Sequence, residues 1–171
     1  MTIELEAEVG RWLLEKGWML AVAESCTGGL IGHRLTNVSG SSAYYLGSVT
    51  AYAYSAKERL LGVRVETLLR CGAVSRETVL EMAEGVRRTF GGEEAGRVVG
   101  LSVSGIAGPG GATPDKPVGL VWVGLSLPGR AAQAWQFVGQ GDRQENKTFS
   151  AERALEQLLV ALREEVHATT G

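Results

Sequence analysis

Cysteine and histidine are scarce in this sequence, which holds two of each. The two cysteines, Cys26 and Cys71, are too few for the disulfide framework that stabilises small secreted domains. The two histidines, His33 and His167, lie far apart in the sequence and fall in no spacing typical of metal ligands. We therefore predict neither a disulfide scaffold nor a metal site.

An excess of positive charge is also absent. The chain has 17 basic and 19 acidic residues, which gives a formal net charge of −2. Proteins that hold nucleic acid by their surface field carry a clear surplus of lysine and arginine. We therefore predict no nucleic-acid partner.

Long apolar runs are missing as well. The longest one covers 118–127 and includes two glycines and a serine, whereas a membrane-spanning helix needs about 20 apolar residues. The acidic start MTIELEAE does not show the charged and then apolar segments of a secretion signal. We expect a cytoplasmic protein with no membrane partner.

Glycine, in contrast, is abundant. It accounts for 24 of the 171 residues, about twice the roughly 7% of average proteins. The glycines form clusters without a period, and such clusters mark sharp turns or close approaches of the backbone. No repeat or low-complexity linker interrupts the chain, so we predict a single domain over 1–171.

Helical and strand patterns alternate in the first half of the chain, and strands follow one another over short connections in the second half. The spacing of apolar residues predicts helices over 5–17, 26–37, 55–62, 75–91 and from Asp142 to near the C-terminus. Strands are predicted over 18–24, 44–53, 97–104, 118–127 and 131–138. This order is typical of an α/β sandwich around a mixed sheet.

The segment AESCTGGL, 23–30, lies where a predicted strand ends and a helix begins. Ligands of open α/β sheets bind beyond the carboxyl ends of strands, where helix N-termini offer free N–H groups. Ser25 at the strand tip is a candidate nucleophile, and Gly28 and Gly29 would let a ligand approach the backbone. The alternative is a plain strand–turn–helix corner in which Thr27 caps the helix, and the residues by themselves leave both interpretations open.

Cys26 is a rival nucleophile, because a thiol at a helix N-terminus has a lowered pKa. Successive residues of an extended chain point to opposite sides, however. If Ser25 faces the cleft, we expect Cys26 to face the core, where cysteine is common.

Three further segments could contribute to a site. The glycine-rich SGIAGPGG, 104–111, follows a strand and could hold a phosphate or carboxylate with backbone amides, or be a plain surface loop. Lys57 follows a predicted strand, where partial burial would lower its pKa and make it usable as a base; the alternative is a solvated lysine. Arg143 stands at the start of the last helix, where it could serve a ligand phosphate, a subunit contact or an ion pair with Asp142 or Glu145.

Four stretches of the chain stand in the order in which a known family has them: AESCTGGLIGHRLTNVSGSSAYY, AYAYSAKERLLGV, GAVSRETVLEMAEGV and SGIAGPGGATPDKPVGLVWVGL. By these stretches the chain resembles the CinA C-terminal domain family of nicotinamide mononucleotide deamidases. The resemblance covers nearly the whole chain. It implies a three-layer α/β/α sandwich around a mixed, mostly parallel sheet.

The resemblance also implies an activity: hydrolysis of nicotinamide mononucleotide to nicotinic acid mononucleotide and ammonia, in pyridine nucleotide salvage. The family is described as a serine–lysine hydrolase, so Ser25 would be the nucleophile and Lys57 the base. Tyr52 would hold one of these two side chains in place, and Ser104 would assist the pair or contact the substrate. No metal or organic cofactor is implied.

The substrate-binding residues implied by the resemblance lie in the glycine-rich turns. Thr27, Gly28 and Gly29 would donate to the phosphate or the oxyanion, Gly108 would form the other wall, and Arg143 would contact the phosphate. The partner is thus a small nucleotide. Family members often self-associate, so a homo-oligomer is expected.

The sequence departs from the family at one place near the proposed base. Many members have Tyr-Ser-Asn-Glu-Ala-Lys, whereas this chain has Tyr52-Ala53-Tyr54-Ser55-Ala56-Lys57, so that Ala53 and Tyr54 replace the serine and asparagine. Longer members carry an additional N-terminal domain, and this chain is expected to be the standalone form. The alternative function is an inactive nucleotide-binding or competence- and damage-associated module.

Overall fold

The computed structural model describes residues 4–168 and the side chains of residues 4–164. The ends of the predicted domain 1–171 and the His167 side chain therefore lie outside the described residues. No helix of the described part is long and apolar enough to cross a membrane.

Six α-helices and five strands make up the described fold. The helices are α1 (Leu5–Lys16), α2 (Leu30–Thr36), α3 (Tyr54–Leu61), α4 (Val65–Cys71), α5 (Arg76–Gly91) and α6 (Arg143–Ala168). The strands are β1 (Met19–Glu24), β2 (Tyr45–Thr50), β3 (Val98–Gly105), β4 (Leu120–Ser126) and β5 (Gln133–Val138). All five predicted strands are present, whereas the short helix α4 was not predicted.

The strands form one mixed sheet in the order β2-β1-β3-β4-β5. Strand β1 pairs in parallel with both β2 and β3, and β4 pairs antiparallel with both β3 and β5. All strands except β4 therefore run in one direction. The predicted mixed, mostly parallel sheet is confirmed.

Helices cover both faces of the sheet. Leu20 and Val22 of β1 pack in a core with residues of α1, α2 and α6, while Ala21 and Ala23 pack in a second core with residues of α3, α4 and α5. Because β1 is buried on both faces, its sequence is apolar without alternation. The three-layer α/β/α sandwich is confirmed.

The topology places a cleft at the carboxyl end of β1. The chain leaves β1 for β2 on one side of it and later returns as β3 on the other side. Such a switch point is where open α/β sheets bind ligands. The end of β1 is held firmly there, because Ala51 donates to the Glu24 carbonyl at 2.8 Å and Ser25 donates to the Val103 carbonyl at 3.0 Å.

Helix α5 lies unusually close to the centre of the sheet. A β-carbon at Gly100 would lie 2.0 Å from the Ala83 carbonyl oxygen, and one at Gly124 would lie 2.4 Å from the Val79 carbonyl oxygen. Side chains at these positions would push the helix off the sheet. Part of the high glycine content is therefore explained by helix–sheet packing.

We expect Gly100→Ala to lower the free energy of unfolding by about 2–3 kcal/mol, because the added methyl overpacks the contact with α5. Urea denaturation followed by circular dichroism measures the change. Gly96→Ala is the matched control, since a β-carbon there meets nothing within 4 Å. Equal stability of the two variants would contradict this account of the helix–sheet contact.

Candidate active site

A buried lysine connects three chain segments at the carboxyl end of β1. Lys57, in the first turn of α3, has no exposed surface. Its Nζ donates to Ser25 Oγ at 3.0 Å, to the Ala51 carbonyl at 2.7 Å and to the Tyr52 carbonyl at 3.1 Å. The two residues that the resemblance pairs, Ser25 and Lys57, are therefore in contact.

The environment of Lys57 disfavours its charged form. Burial lowers the pKa of Lys57 to about 8. Among the described residues no carboxylate forms an ion pair with it, and its three hydrogen-bond partners are all neutral oxygens. A lysine in this setting can lose its proton close to neutral pH.

Ser25 is the first residue after β1 and is almost fully buried. It lines a cavity of about 190 Å³ together with Lys57, Tyr52 and Ser104. A wider hollow of about 520 Å³ adjoins it and shares Ala107 and Arg143 as lining residues. The Ser25–Lys57 pair is thus open to a small molecule.

Cys26 differs from Ser25 in its surroundings. Its side chain packs in the hydrophobic core, as expected, although Cys26 also lines the cavity. Burial raises the pKa of Cys26 to about 11, so the thiol holds its proton at neutral pH. These facts favour Ser25 over Cys26 as the nucleophile.

The turn that follows Ser25 is tied to Glu24, a residue that the sequence reasoning did not single out. The Glu24 carboxylate accepts from the Thr27 hydroxyl at 2.7 Å and from the amides of Gly29, Ile31 and Gly32 at 2.9, 3.1 and 2.9 Å. Glu24, and not Thr27, therefore caps α2. The signal in the sequence was an acidic residue at the end of an otherwise apolar strand.

This cap corrects the expectation that Gly28 and Gly29 offer free amides to a substrate. The Gly29 amide donates to Glu24, and the Gly28 amide donates to the Ser25 carbonyl at 3.1 Å. Within residues 4–168 the Thr27 amide has no acceptor, and the Cys26 amide has none besides the sulfur of its own side chain. The free donors of the turn are thus closer to Ser25 than expected.

Ala73 forms part of one wall of the cavity, and Ser104 and Tyr54 hold this wall in place. The Ser104 hydroxyl donates to the Ala73 carbonyl at 2.8 Å, and the Ala73 amide donates to the Tyr54 hydroxyl at 3.1 Å. Ser104 borders the cavity but has no hydrogen bond to Ser25 or Lys57. Tyr54, where the sequence departs from the family, supports the wall from outside and does not line the cavity.

Arg143 and Tyr52 lie together at the mouth of the cavity. Arg143 donates to the Gly108 carbonyl at 2.6 Å and to the Tyr52 hydroxyl at 3.2 Å. Arg143 pairs with neither Asp142 nor Glu145, because those two carboxylates accept from amides at the start of α6. Tyr52 acts on Lys57 through its backbone carbonyl and not through its ring.

A metal centre is not evident in the described part of the chain, where no three acidic, histidine or cysteine side chains are grouped as metal ligands. The chemistry available at this site is that of a serine hydroxyl beside a lysine amine.

Comparison with known proteins shows which family this arrangement belongs to. A family model described as the CinA C-terminal domain matches residues 2–162. A CinA-like protein of Salinibacter ruber is 54% identical over 156 residues, which are 91% of this chain and 36% of that protein. A putative competence-damage inducible protein of Halothermothrix orenii is 46% identical over 150 residues, 88% of this chain and 35% of that one. The chain thus spans little more than a third of the length of these curated relatives.

Two solved structures of competence/damage-inducible proteins superpose on this chain over most of its length. The competence damage-inducible protein A of Klebsiella pneumoniae superposes with a TM-score of 0.85 at 34% identity, over 93% of this chain and 95% of that one. The competence/damage inducible protein of Agrobacterium tumefaciens gives a TM-score of 0.81 at 36% identity, over 95% and 99% of the two chains.

The lowered pKa of Lys57 makes stability depend on pH. Between pH 8 and the ordinary lysine pKa of 10.5 the unfolded chain binds a proton that the native protein does not. The free energy of unfolding should therefore rise with pH across this window, by up to about 3 kcal/mol. Urea denaturation at several pH values should show this rise in the parent and its loss in Lys57→Met. Lys147→Met, on α6, is the control that keeps the rise, and identical profiles for all three proteins would contradict the burial argument.

Proposed function

The chain belongs to the CinA C-terminal domain family, and from that premise we propose that it is an amidohydrolase acting on nicotinamide mononucleotide. Its products are nicotinic acid mononucleotide and ammonia. The observation that carries the proposal is the 3.0 Å hydrogen bond between Lys57 Nζ and Ser25 Oγ in a buried cavity. Nicotinamide mononucleotide carries a carboxamide, which is a group that such a pair can hydrolyse.

The surroundings of Lys57 determine how it acts as a base. A neutral amine has two N–H groups and one lone pair. The Ala51 and Tyr52 oxygens are carbonyls and can only accept, so they take the two N–H groups. The lone pair is left for the third neighbour, the Ser25 hydroxyl, which can donate its proton. Loss of one proton from Lys57 therefore orients the amine as the base for Ser25.

The reaction follows as two acyl transfers. Ser25 Oγ attacks the carboxamide carbon while its proton moves to Lys57, and the tetrahedral intermediate then expels ammonia, which takes that proton from Lys57. Water next attacks the acyl-serine with Lys57 as the base, and the carboxylic acid leaves as Ser25 regains its proton. The oxyanion of both intermediates needs fixed donors, and the amides of Cys26 and Thr27 are our candidates.

The two hollows divide the substrate between them. The small one at Ser25 suits the flat pyridine carboxamide, and the wider one beside it suits the ribose phosphate. Arg143 borders both and has no carboxylate partner among the described residues. A guanidinium has five N–H donors, so donors remain for a phosphate after those given to Gly108 and Tyr52.

We expect purified protein to release ammonia from nicotinamide mononucleotide, at a rate that falls tenfold per unit below pH 8 because the base must be neutral. Ser25→Ala should lose at least about 10³-fold in kcat, and Lys57→Arg should be inactive at every pH, because arginine stays protonated. Cys26→Ala is the matched control that keeps its activity.

Two results would count against this assignment. Loss of activity in Cys26→Ala but not in Ser25→Ala would move the nucleophile to the thiol. Binding of the nucleotide without any turnover by the parent protein would favour a non-catalytic binding module.

Arg143→Gln tests the phosphate contact. We expect a KM for nicotinamide mononucleotide raised about 10- to 100-fold, as befits the loss of a charge-assisted hydrogen bond. The KM for nicotinamide riboside, which lacks the phosphate, should change much less. Arg153→Gln, farther along α6, is the control, and an equal rise for both substrates would assign Arg143 to the shape of the cavity mouth alone.

A further inference from the structure

We infer that Glu24 is a positioning residue that holds Ser25 in line with Lys57 by tying down the turn that follows it. This inference rests on the proposed function only in taking Ser25 as the nucleophile. Glu24 itself touches neither the cavity nor Lys57, so it acts through the backbone of the turn.

The contacts of Glu24 are unusual for a capping residue. Its side chain is fully buried, and four groups donate to it, three of which are amides at the start of α2. No lysine or arginine of the described chain pairs with it. The positive end of the helix and the converging amides must therefore compensate the buried charge.

Glu24 caps amides that lie far from it in the sequence, and Ser25 lies between Glu24 and these amides. A side chain that caps a helix commonly acts on amides two or three residues later. The Glu24 carboxylate instead accepts from amides five to eight residues later, between Gly29 and Gly32. It therefore closes a loop of chain that has Ser25 near its start.

The backbone of Ser25 is fixed from both directions within that loop. Its amide donates to the Val103 carbonyl at 3.0 Å, and its carbonyl accepts from the Gly28 amide at 3.1 Å. The second of these bonds forms only if the turn keeps its shape, which the Thr27 hydroxyl and the Gly29 amide secure through Glu24. Releasing the carboxylate should let the turn relax and move Ser25 Oγ away from Lys57.

The fold supplies a matched control for this carboxylate. Glu81 on α5 also accepts four hydrogen bonds, from the amide and two guanidinium nitrogens of Arg64 and from the Thr67 hydroxyl. Glu81 ties α4 to α5 and lines no part of the cavity. Glu81→Gln thus removes the charge and one acceptor oxygen from a comparable set of contacts elsewhere.

The experiment compares Glu24→Gln, Glu81→Gln and the parent protein. A fluorophosphonate probe reports on Ser25 directly, because Ser25 Oγ displaces fluoride from phosphorus while Lys57 takes the hydroxyl proton. The labelling rate is followed by intact-protein mass, and kcat, KM and the melting temperature are measured in parallel. We expect both labelling and kcat to fall about 10- to 100-fold in Glu24→Gln, with KM changed less than about threefold, and to stay at the parent's level in Glu81→Gln.

A second pair of variants keeps the test available if Glu24→Gln does not fold. Thr27→Val removes one hydrogen bond to Glu24 without touching the carboxylate, and Thr27→Ser keeps the hydroxyl. We expect Thr27→Val to slow labelling more than Thr27→Ser does, because only the serine keeps a hydroxyl that can donate to Glu24.

Several results would overturn the inference. Parent-level labelling in a folded Glu24→Gln would make Glu24 a helix cap only, as would equal labelling of Thr27→Val and Thr27→Ser. A parent protein whose Ser25 resists the probe has no nucleophile to position. A parent that is labelled at Ser25 but releases no ammonia from nicotinamide mononucleotide would count against the proposed substrate and still allow the role of Glu24 to be tested.

Discussion

The site depends on one costly contact, a lysine amine buried among neutral oxygens. Lys57 comes from α3, two of its acceptors belong to the segment after β2, and the third is Ser25 at the end of β1. Burying a cation without a carboxylate partner is unfavourable, and burial therefore lowers the pKa of Lys57 to about 8. A carboxylate beside Lys57 would stabilise the charged amine and raise its pKa. The amine would then stay protonated near neutral pH and could not accept a proton. Burial without a carboxylate partner is thus the property that lets Lys57 lose its proton near neutral pH.

Much of the fold was predictable from the sequence, because its elements carry strong local signals. Strand β1 is apolar up to its last residue, Glu24, and α5 has a serine cap and a regular apolar stripe, and both elements were predicted. Helix α4 was missed, since seven residues with two exposed leucine or valine side chains give no clear stripe. The residues themselves marked Ser25 and Lys57 as candidates and the resemblance to a family paired them, but nothing in the sequence shows that side chains 32 residues apart meet. That contact comes from the parallel pairing of β1 with β2, which brings the start of α3 beside the end of β1.

The glycine-rich turn shows why the details of a site were harder to predict than its place. A turn that opens a helix has free amides as a rule, and the two glycines were expected to present them to a ligand. The structure places a carboxylate from the preceding strand on those amides, so the turn is internally satisfied. Whether an acidic residue folds back onto the next helix depends on the path of the turn in three dimensions. The sequence shows only that Glu24 is close by.

The departure from the family motif at Ala53 and Tyr54 can be related to the cavity wall at Ala73. The wall at Ala73 belongs to no helix and is held by hydrogen bonds: Ser104 donates to the Ala73 carbonyl, the Ala73 amide donates to Tyr54, and Lys116 donates to the Cys71 carbonyl, two residues earlier, at 2.7 Å. Ser25 and Lys57, in contrast, are fixed by β1 and by two carbonyls on the other side. A change at position 54 therefore acts first on the wall at Ala73, because the Ala73 amide donates to the Tyr54 hydroxyl. Position 53 bears on the other half of the cavity, because the Ala53 carbonyl accepts from the Lys57 amide at 3.1 Å in the first turn of α3.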